Sequence, residues 1–88
     1  MSIREEIKEY NSDAYVLTEE YYDDAIIGLS ADDKVVYAFS KMVDAVVKAE
    51  NLTVEQAQEY IEYNVIRALS YLGDKAPVVV YSLEGIEE

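Results

Sequence analysis

The chain contains no histidine and no cysteine. Without them neither a Ser-His-Asp nor a Cys-His unit can be assembled, and no disulfide framework or thiolate metal site is available. There are only three glycines and no glycine-rich phosphate loop, so no dinucleotide fingerprint can be built. Basic residues are scarce, with 7 Lys and Arg against 19 Asp and Glu, for a net charge of −12. A chain this acidic is repelled by nucleic acid and by anionic membrane surfaces; its natural partners are cations or basic protein surfaces. The plain alternative is that the charge serves solubility alone. No run of 18 apolar residues exists to span a membrane, and the first residues, MSIREEIKEY, lack the apolar core of a signal peptide. The expectation is a cytoplasmic protein.

What is present reads as one domain over residues 1–88. With 51% hydrophobic residues a core can be buried, although stability is marginal at this length. The organising stretch is Thr53 to Leu72. Val54, Ala57, Ile61, Val65, Ala68, Leu69 and Leu72 recur three or four residues apart, the spacing of one helix face. Thr53 as N-cap with Gln56 three residues on completes a capping box. Gly73 is placed to stop the helix in the left-handed conformation.

Ahead of it, residues 2–10 read as a helix with Ser2 as N-cap and Ile3, Ile7 and Tyr10 on one side. This N-terminal segment, 1–13, closes at the breaker cluster Asn11-Ser12-Asp13. Ala14 to Thr18 is a short strand or an extended connection, and Glu19 to Asp24 a loop or strand entrance. Residues 25–39 read as a hairpin, Ala25–Leu29 and Lys34–Phe39, turning at Ser30-Ala31-Asp32-Asp33. Gly28 suggests a bulge, and the near-continuous apolar runs place at least one of these strands centrally in the sheet. Ser40 is expected to cap a helix over 41–50 with Val43, Val46 and Val47 inward. Pro77 opens a last strand, 78–83, and the tail GIEE is expected to fray. The fold class is α+β, with two layers: an antiparallel or mixed sheet of three to four strands with the helix pair packed on one face.

For chemistry, only carboxylates remain. Asp23-Asp24 and Asp32-Asp33 are the candidate acid/base or metal pairs, but neither matches the spaced ligands of a calcium loop, and adjacent Asp residues in a turn are ordinary turn formers. The expectation is no enzyme, no catalytic residue, no metal and no cofactor. On the main helix Glu55, Glu59 and Glu62 fall at i, i+4 and i+7, sharing a face. Like charges so placed mildly destabilise a helix. Their spacing of ~6 Å, from the rise per residue, is of the same order as successive phosphates along one strand. Such a row can imitate a DNA backbone for a protein that holds phosphates with Lys and Arg; the alternative is a solvated helix face.

Nine tyrosines form the third signal. Tyr21 and Tyr22 lie within EEYYDD, and Tyr60 and Tyr63 lie beside the glutamates. Tyrosine suits interfaces, and arginine stacks on its ring. Tyr37 and Tyr81 are expected in the core. Asn64, a mediocre helix former in mid-helix, is expected to clasp the neighbouring hairpin.

Four segments together, D-D-A-I-I-G (Asp23–Gly28), V-V-Y (Val35–Tyr37), L-T-V-E-Q-A (Leu52–Ala57) and E-Y-N (Glu62–Asn64), resemble a family of small acidic proteins common in bacteriophages and prophages. The resemblance covers roughly residues 23–72 and carries no activity, cofactor or catalytic residue. It implies a context, the host cytoplasm, in which many such proteins bind and block restriction, CRISPR or repair machinery, some by mimicking DNA.

The functional expectation is therefore a non-enzymatic binding protein that blocks a host nucleic-acid-handling protein. It would use Glu55, Glu59, Glu62, Asp23, Asp24, Asp32 and Asp33 with Tyr21, Tyr22, Tyr60 and Tyr63, as monomer or homodimer, binding no nucleic acid directly. The alternative is a small structural or assembly module that forms a homo-oligomer through tyrosines or an edge strand.

Overall fold

A computed structural model describes residues 2–81. The chain is α+β, with helices around a three-stranded mixed sheet. Helix α1 (Ile3–Tyr10) begins in a capping box: the Ser2 hydroxyl accepts the Glu5 N–H at 3.2 Å, and the Glu5 carboxylate accepts the Ser2 N–H at 3.1 Å. Of its expected apolar side only Ile7 is buried; Ile3 and Tyr10 are exposed. The helix is held by its cations instead. Arg4 Nε donates to both carboxylate oxygens of Asp23 at 2.9 and 2.7 Å, and its Nη2 donates to the Leu17 carbonyl. Lys8 Nζ donates to the Ala14 carbonyl. The hydrogen bond to Asp23 raises the Arg4 pKa despite partial desolvation. Replacing Arg4 by Ala is expected to cost about 1–2 kcal/mol, the worth of a charge-assisted, part-buried pair. Urea denaturation would read that loss, and no change would mean that α1 docks through Ile7 and Lys8 without Arg4.

Residues 14–18 form the extended connection and no strand. Glu20–Ala25, expected as loop or strand entrance, is instead a 3-10 helix. In that geometry residues i and i+3 share a side, and Tyr22 and Ala25 are both fully buried. Strands β1 (Ile26–Leu29) and β2 (Val35–Ala38) pair antiparallel. Ile26 faces Tyr37 and Gly28 faces Val36, so one extra β1 residue is accommodated, the bulge expected at Gly28. The turn is built by its side chains. Ser30 Oγ donates to Asp32 and accepts the Lys34 N–H, while Asp33 takes the left-handed conformation at φ 66°.

Helix α2 (Phe39–Glu50) starts directly off β2. Ala38 occupies the cap position and makes no side-chain bond, so Ser40 is not the cap. Phe39, at the junction, stacks on Tyr81 with ring centroids 4.7 Å apart. Met42, Val43 and Val46 are buried and Val47 half-buried. Asn51 closes the helix at φ 58°, a conformation Asn tolerates better than most residues.

Helix α3 (Val54–Ile61) opens on the expected box: Thr53 Oγ1 accepts the Gln56 N–H and Gln56 Oε1 accepts the Thr53 N–H, each at 3.1 Å. The helix does not then run straight to Leu72. Glu62–Ile66 is one wide π turn, followed by the short α4 (Arg67–Leu69). The Arg67 N–H reaches the Glu62 carbonyl five residues back. The apolar pattern explains this. Ala57, Ile61 and Val65 are buried and Leu69 packs on the core, a repeat of four. On an α-helix a four-residue repeat drifts by about 40° per turn, and a wider turn takes part of that drift back. Val54 and Ala68, expected inward, are exposed.

Gly73 stands at φ 64°, the expected stop, and opens a single 3-10 turn to Lys75. Strand β3 (Val78–Val80) pairs parallel with β2, giving the order β1-β2-β3 with β2 central. A parallel pair requires a crossover, which α2 and α3 supply. The remainder of the expected strand 78–83, past Tyr81, and the GIEE tail lie outside the described residues. Tyr81, expected in the core, is 54% exposed.

One buried cluster joins the elements: Ile7 and Leu17 from the N-terminal arm, Tyr22, Val35 and Tyr37 from the 3-10 helix and sheet, Met42 and Val46 from α2, and Ala57 and Ile61 from α3.

Candidate partner-binding face

Leu52, Gln56, Glu59 and Tyr60 line an open, shallow groove of about 770 Å³ together with Glu62, Tyr63, Asn64, Ile66 and Arg67. Its apolar part is Leu52, Tyr60 and Ile66, each half-buried where the helix meets the core. Its polar part includes Glu59, Glu62 and Arg67, all exposed. Tyr63 stands out from the helix, 69% exposed. The Arg67 guanidinium carbon lies 5.0 Å from the centre of the Tyr63 ring, a cation–π contact.

Four of the residues expected to meet a partner are thus brought together: Glu59, Tyr60, Glu62 and Tyr63. Glu55 is exposed on the same helix but does not line the groove. Helical spacing gathers these residues because they share one element. No cation lies within ion-pair distance of Glu55, Glu59 or Glu62 among the described residues.

The others are dispersed. Asp23 is half-buried and bound by Arg4. Asp24 borders a separate hollow of about 260 Å³ beside Lys41, Asp44 and Lys48, where both signs of charge mix. Asp32 and Asp33 build the hairpin turn, as turn formers do; the Ser30 hydroxyl, more than Lys34, holds the Asp32 carboxyl below its usual range. Tyr22 is fully buried and cannot touch a partner, which corrects its assignment. Tyr21 is half-buried, tilted against Tyr22 at 4.8 Å between centroids, with its hydroxyl 3.4 Å from Glu50. Burial first, then the neighbouring Tyr60 hydroxyl, push the Tyr21 phenol well above the ordinary range. Tyr21 does not line the groove.

Asn64 is exposed and does not clasp the hairpin. Its Nδ2 donates to the Tyr60 carbonyl at 2.9 Å, within its own helix. An Asn at the wide turn supplies a donor to a carbonyl of the preceding turn, where the backbone ladder changes register. Sequence reasoning missed Leu52, Gln56 and Ile66 as groove residues, and Arg67 as the cation on Tyr63. The Tyr63–Arg67 spacing of four was a usable signal. Among the described residues no group of three or more acidic side chains is placed to hold a metal ion, and no helix is long and apolar enough to cross a membrane.

No protein-family model matches the chain, and no curated protein and no solved structure shows a significant match to it.

Proposed function

We propose that this chain is a non-enzymatic binding protein of phage type that occupies the basic, nucleic-acid-handling surface of a host protein by presenting carboxylates in place of phosphates. The observation that carries the reading is the row Glu55 and Glu59 on α3 and Glu62 at the start of the π turn, exposed and unpaired among the described residues, in a chain of net charge −12. Carboxylates spaced along a helical segment attract the same Lys and Arg groups that hold a phosphate backbone. The resemblance of residues 23–72 to small phage and prophage proteins, read from the sequence pattern alone, would imply a host-directed, anti-defence context, with restriction and CRISPR proteins as the target class. No cofactor enters, because occupancy alone blocks the site.

Affinity should fall as salt rises, since exposed charges are screened over ~10 Å at moderate ionic strength. The test is a pull-down from host lysate at low and high salt, followed by competition of the captured protein with duplex DNA. The triple variant Glu55→Lys, Glu59→Lys, Glu62→Lys should lose capture while circular dichroism stays unchanged. Undiminished capture, or capture that DNA does not compete, would sink the mimic reading. The second reading, a homo-oligomeric module, is favoured by the apolar surface on the sheet, where Ile27, Val80 and Tyr81 are exposed. Sedimentation showing a dimer at both salt concentrations would favour it.

A further inference from the structure

We infer that the face of Tyr63 is a seat for an arginine of the partner, and that Arg67 is the built-in competitor for that seat. The inference rests on the proposed acidic binding reading and makes its chemistry specific. Three observations converge on one ring. Tyr63 is a large aromatic left mostly exposed at the edge of the groove. A guanidinium already lies over it: Arg67, at 5.0 Å from the centroid. That arginine makes no ion pair among the described residues, even though Glu59 and Glu62 line the same groove. In so acidic a chain, a cation resting on a ring rather than on a carboxylate shows what the ring face accepts.

The groove suits an occupant larger than one side chain. At about 770 Å³ and open to solvent along one helical segment, it receives several side chains of a partner surface and encloses none. Leu52 and Ile66 offer apolar contact, and Glu59 and Glu62 offer charge. The occupant is therefore an arginine-bearing segment of a basic protein. Its guanidinium would replace Arg67 on Tyr63, while Glu59 and Glu62 take further cations. Lysine fits less well: its compact ammonium is strongly hydrated, whereas guanidinium is planar, stacks on rings and pairs bidentately with carboxylates. An exposed cation–π contact is weak enough to exchange, and Arg67 therefore lowers affinity without closing the seat.

The probes are a nine-residue poly-arginine and a nine-residue poly-lysine peptide, titrated by calorimetry at low and high salt. The wild-type chain should bind poly-arginine roughly two- to fivefold more tightly than poly-lysine. Tyr63→Ala should abolish that preference and Tyr63→Phe should keep it, which separates the ring from any effect on folding. Arg67→Ala should tighten poly-arginine binding by a similar factor, beyond what the charge-matched Lys75→Ala achieves. Equal affinity for both peptides, or no advantage of Arg67→Ala over Lys75→Ala, would overturn the arginine seat and leave the acidic reading standing. Failure of both peptides to bind at low salt would overturn the two together.

Discussion

Replacing Tyr37 by Phe should destabilise the fold by roughly 1–3 kcal/mol, whereas the same replacement at Tyr22 should leave it unchanged or raise its stability. Both rings are fully buried in one core, so lost packing is nearly the same in the two variants and the hydroxyls decide. The Tyr37 hydroxyl, on central strand β2, accepts the buried Leu17 N–H at 2.9 Å. Removing it strands a backbone donor away from water, which costs the full desolvation of that group. It also frees the connection on which Arg4 and Lys8 anchor α1. The Tyr22 hydroxyl is buried with no partner in hydrogen-bonding geometry, its neighbouring phenol being that of Tyr21. Deleting it removes a desolvated polar atom and leaves nothing unpaired, for a gain on the order of 1 kcal/mol. Urea denaturation of the three proteins, with equal slopes, would read the difference as a shift in midpoint. Equal losses in both variants would mean that the Tyr22 hydroxyl is satisfied after all.

The contrast also marks how far the sequence reaches. Features set by neighbours in the chain are legible in it: the capping boxes at Ser2 and Thr53, the bulge at Gly28, the Asp32-Asp33 turn and the stop at Gly73. Each depends on side chains within about four residues. Tyr21 and Tyr22 show where that reach ends. In EEYYDD the charged flanks argue for exposure, yet the 3-10 helix rotates Tyr22 inward with Ala25, leaves Glu19, Glu20 and Asp24 exposed, and half-buries Asp23 against Arg4. The useful signal was the spacing of three between Tyr22 and Ala25, read against a helix type that a 3.6-residue template does not test. The π turn was hidden in the same way. The four-residue repeat from Ala57 to Leu69 was visible, but its drift matters only once the helix must lie against a fixed core.

The candidate face divides along the same line. Glu59, Tyr60, Glu62 and Tyr63 share one helical element, so spacing alone brought them together. Asp23, Asp24, Asp32 and Asp33 belong to other elements, and their gathering on one surface depended on tertiary placement that charge counts do not encode. Asp23 in particular has its charge answered by Arg4, 19 residues away. Composition measured the total charge correctly and said nothing about which carboxylates remain free to meet a partner.

That same composition makes the pH response of the fold specific. With no His and no Cys, no side chain of a type that ordinarily titrates between about pH 6 and 8 is present, so stability should be flat there. Above about pH 10 the chain should unfold cooperatively. Burial is the main cause that raises the phenols of Tyr21, Tyr22 and Tyr37 above their ordinary value. A raised phenol holds its proton in the folded state after the unfolded state has released it. Its contribution is therefore intact below the ordinary tyrosine value and is lost as pH rises from there through the folded value. The phenols of Tyr22 and Tyr37 act in the same direction, against a total of only roughly 5–10 kcal/mol that holds a domain of this size. Half-exposed Tyr21 adds less, because water screens it. Tyrosinate absorbance and far-ultraviolet circular dichroism, followed together through an alkaline titration, should show part of the tyrosine change coinciding with loss of helix. Smooth ionisation of every tyrosine with the helix signal intact would refute this. Tyr22→Phe removes one of the three raised phenols and should move the alkaline midpoint upward. If the midpoint stays put, Tyr37 and Tyr21 carry the transition without Tyr22.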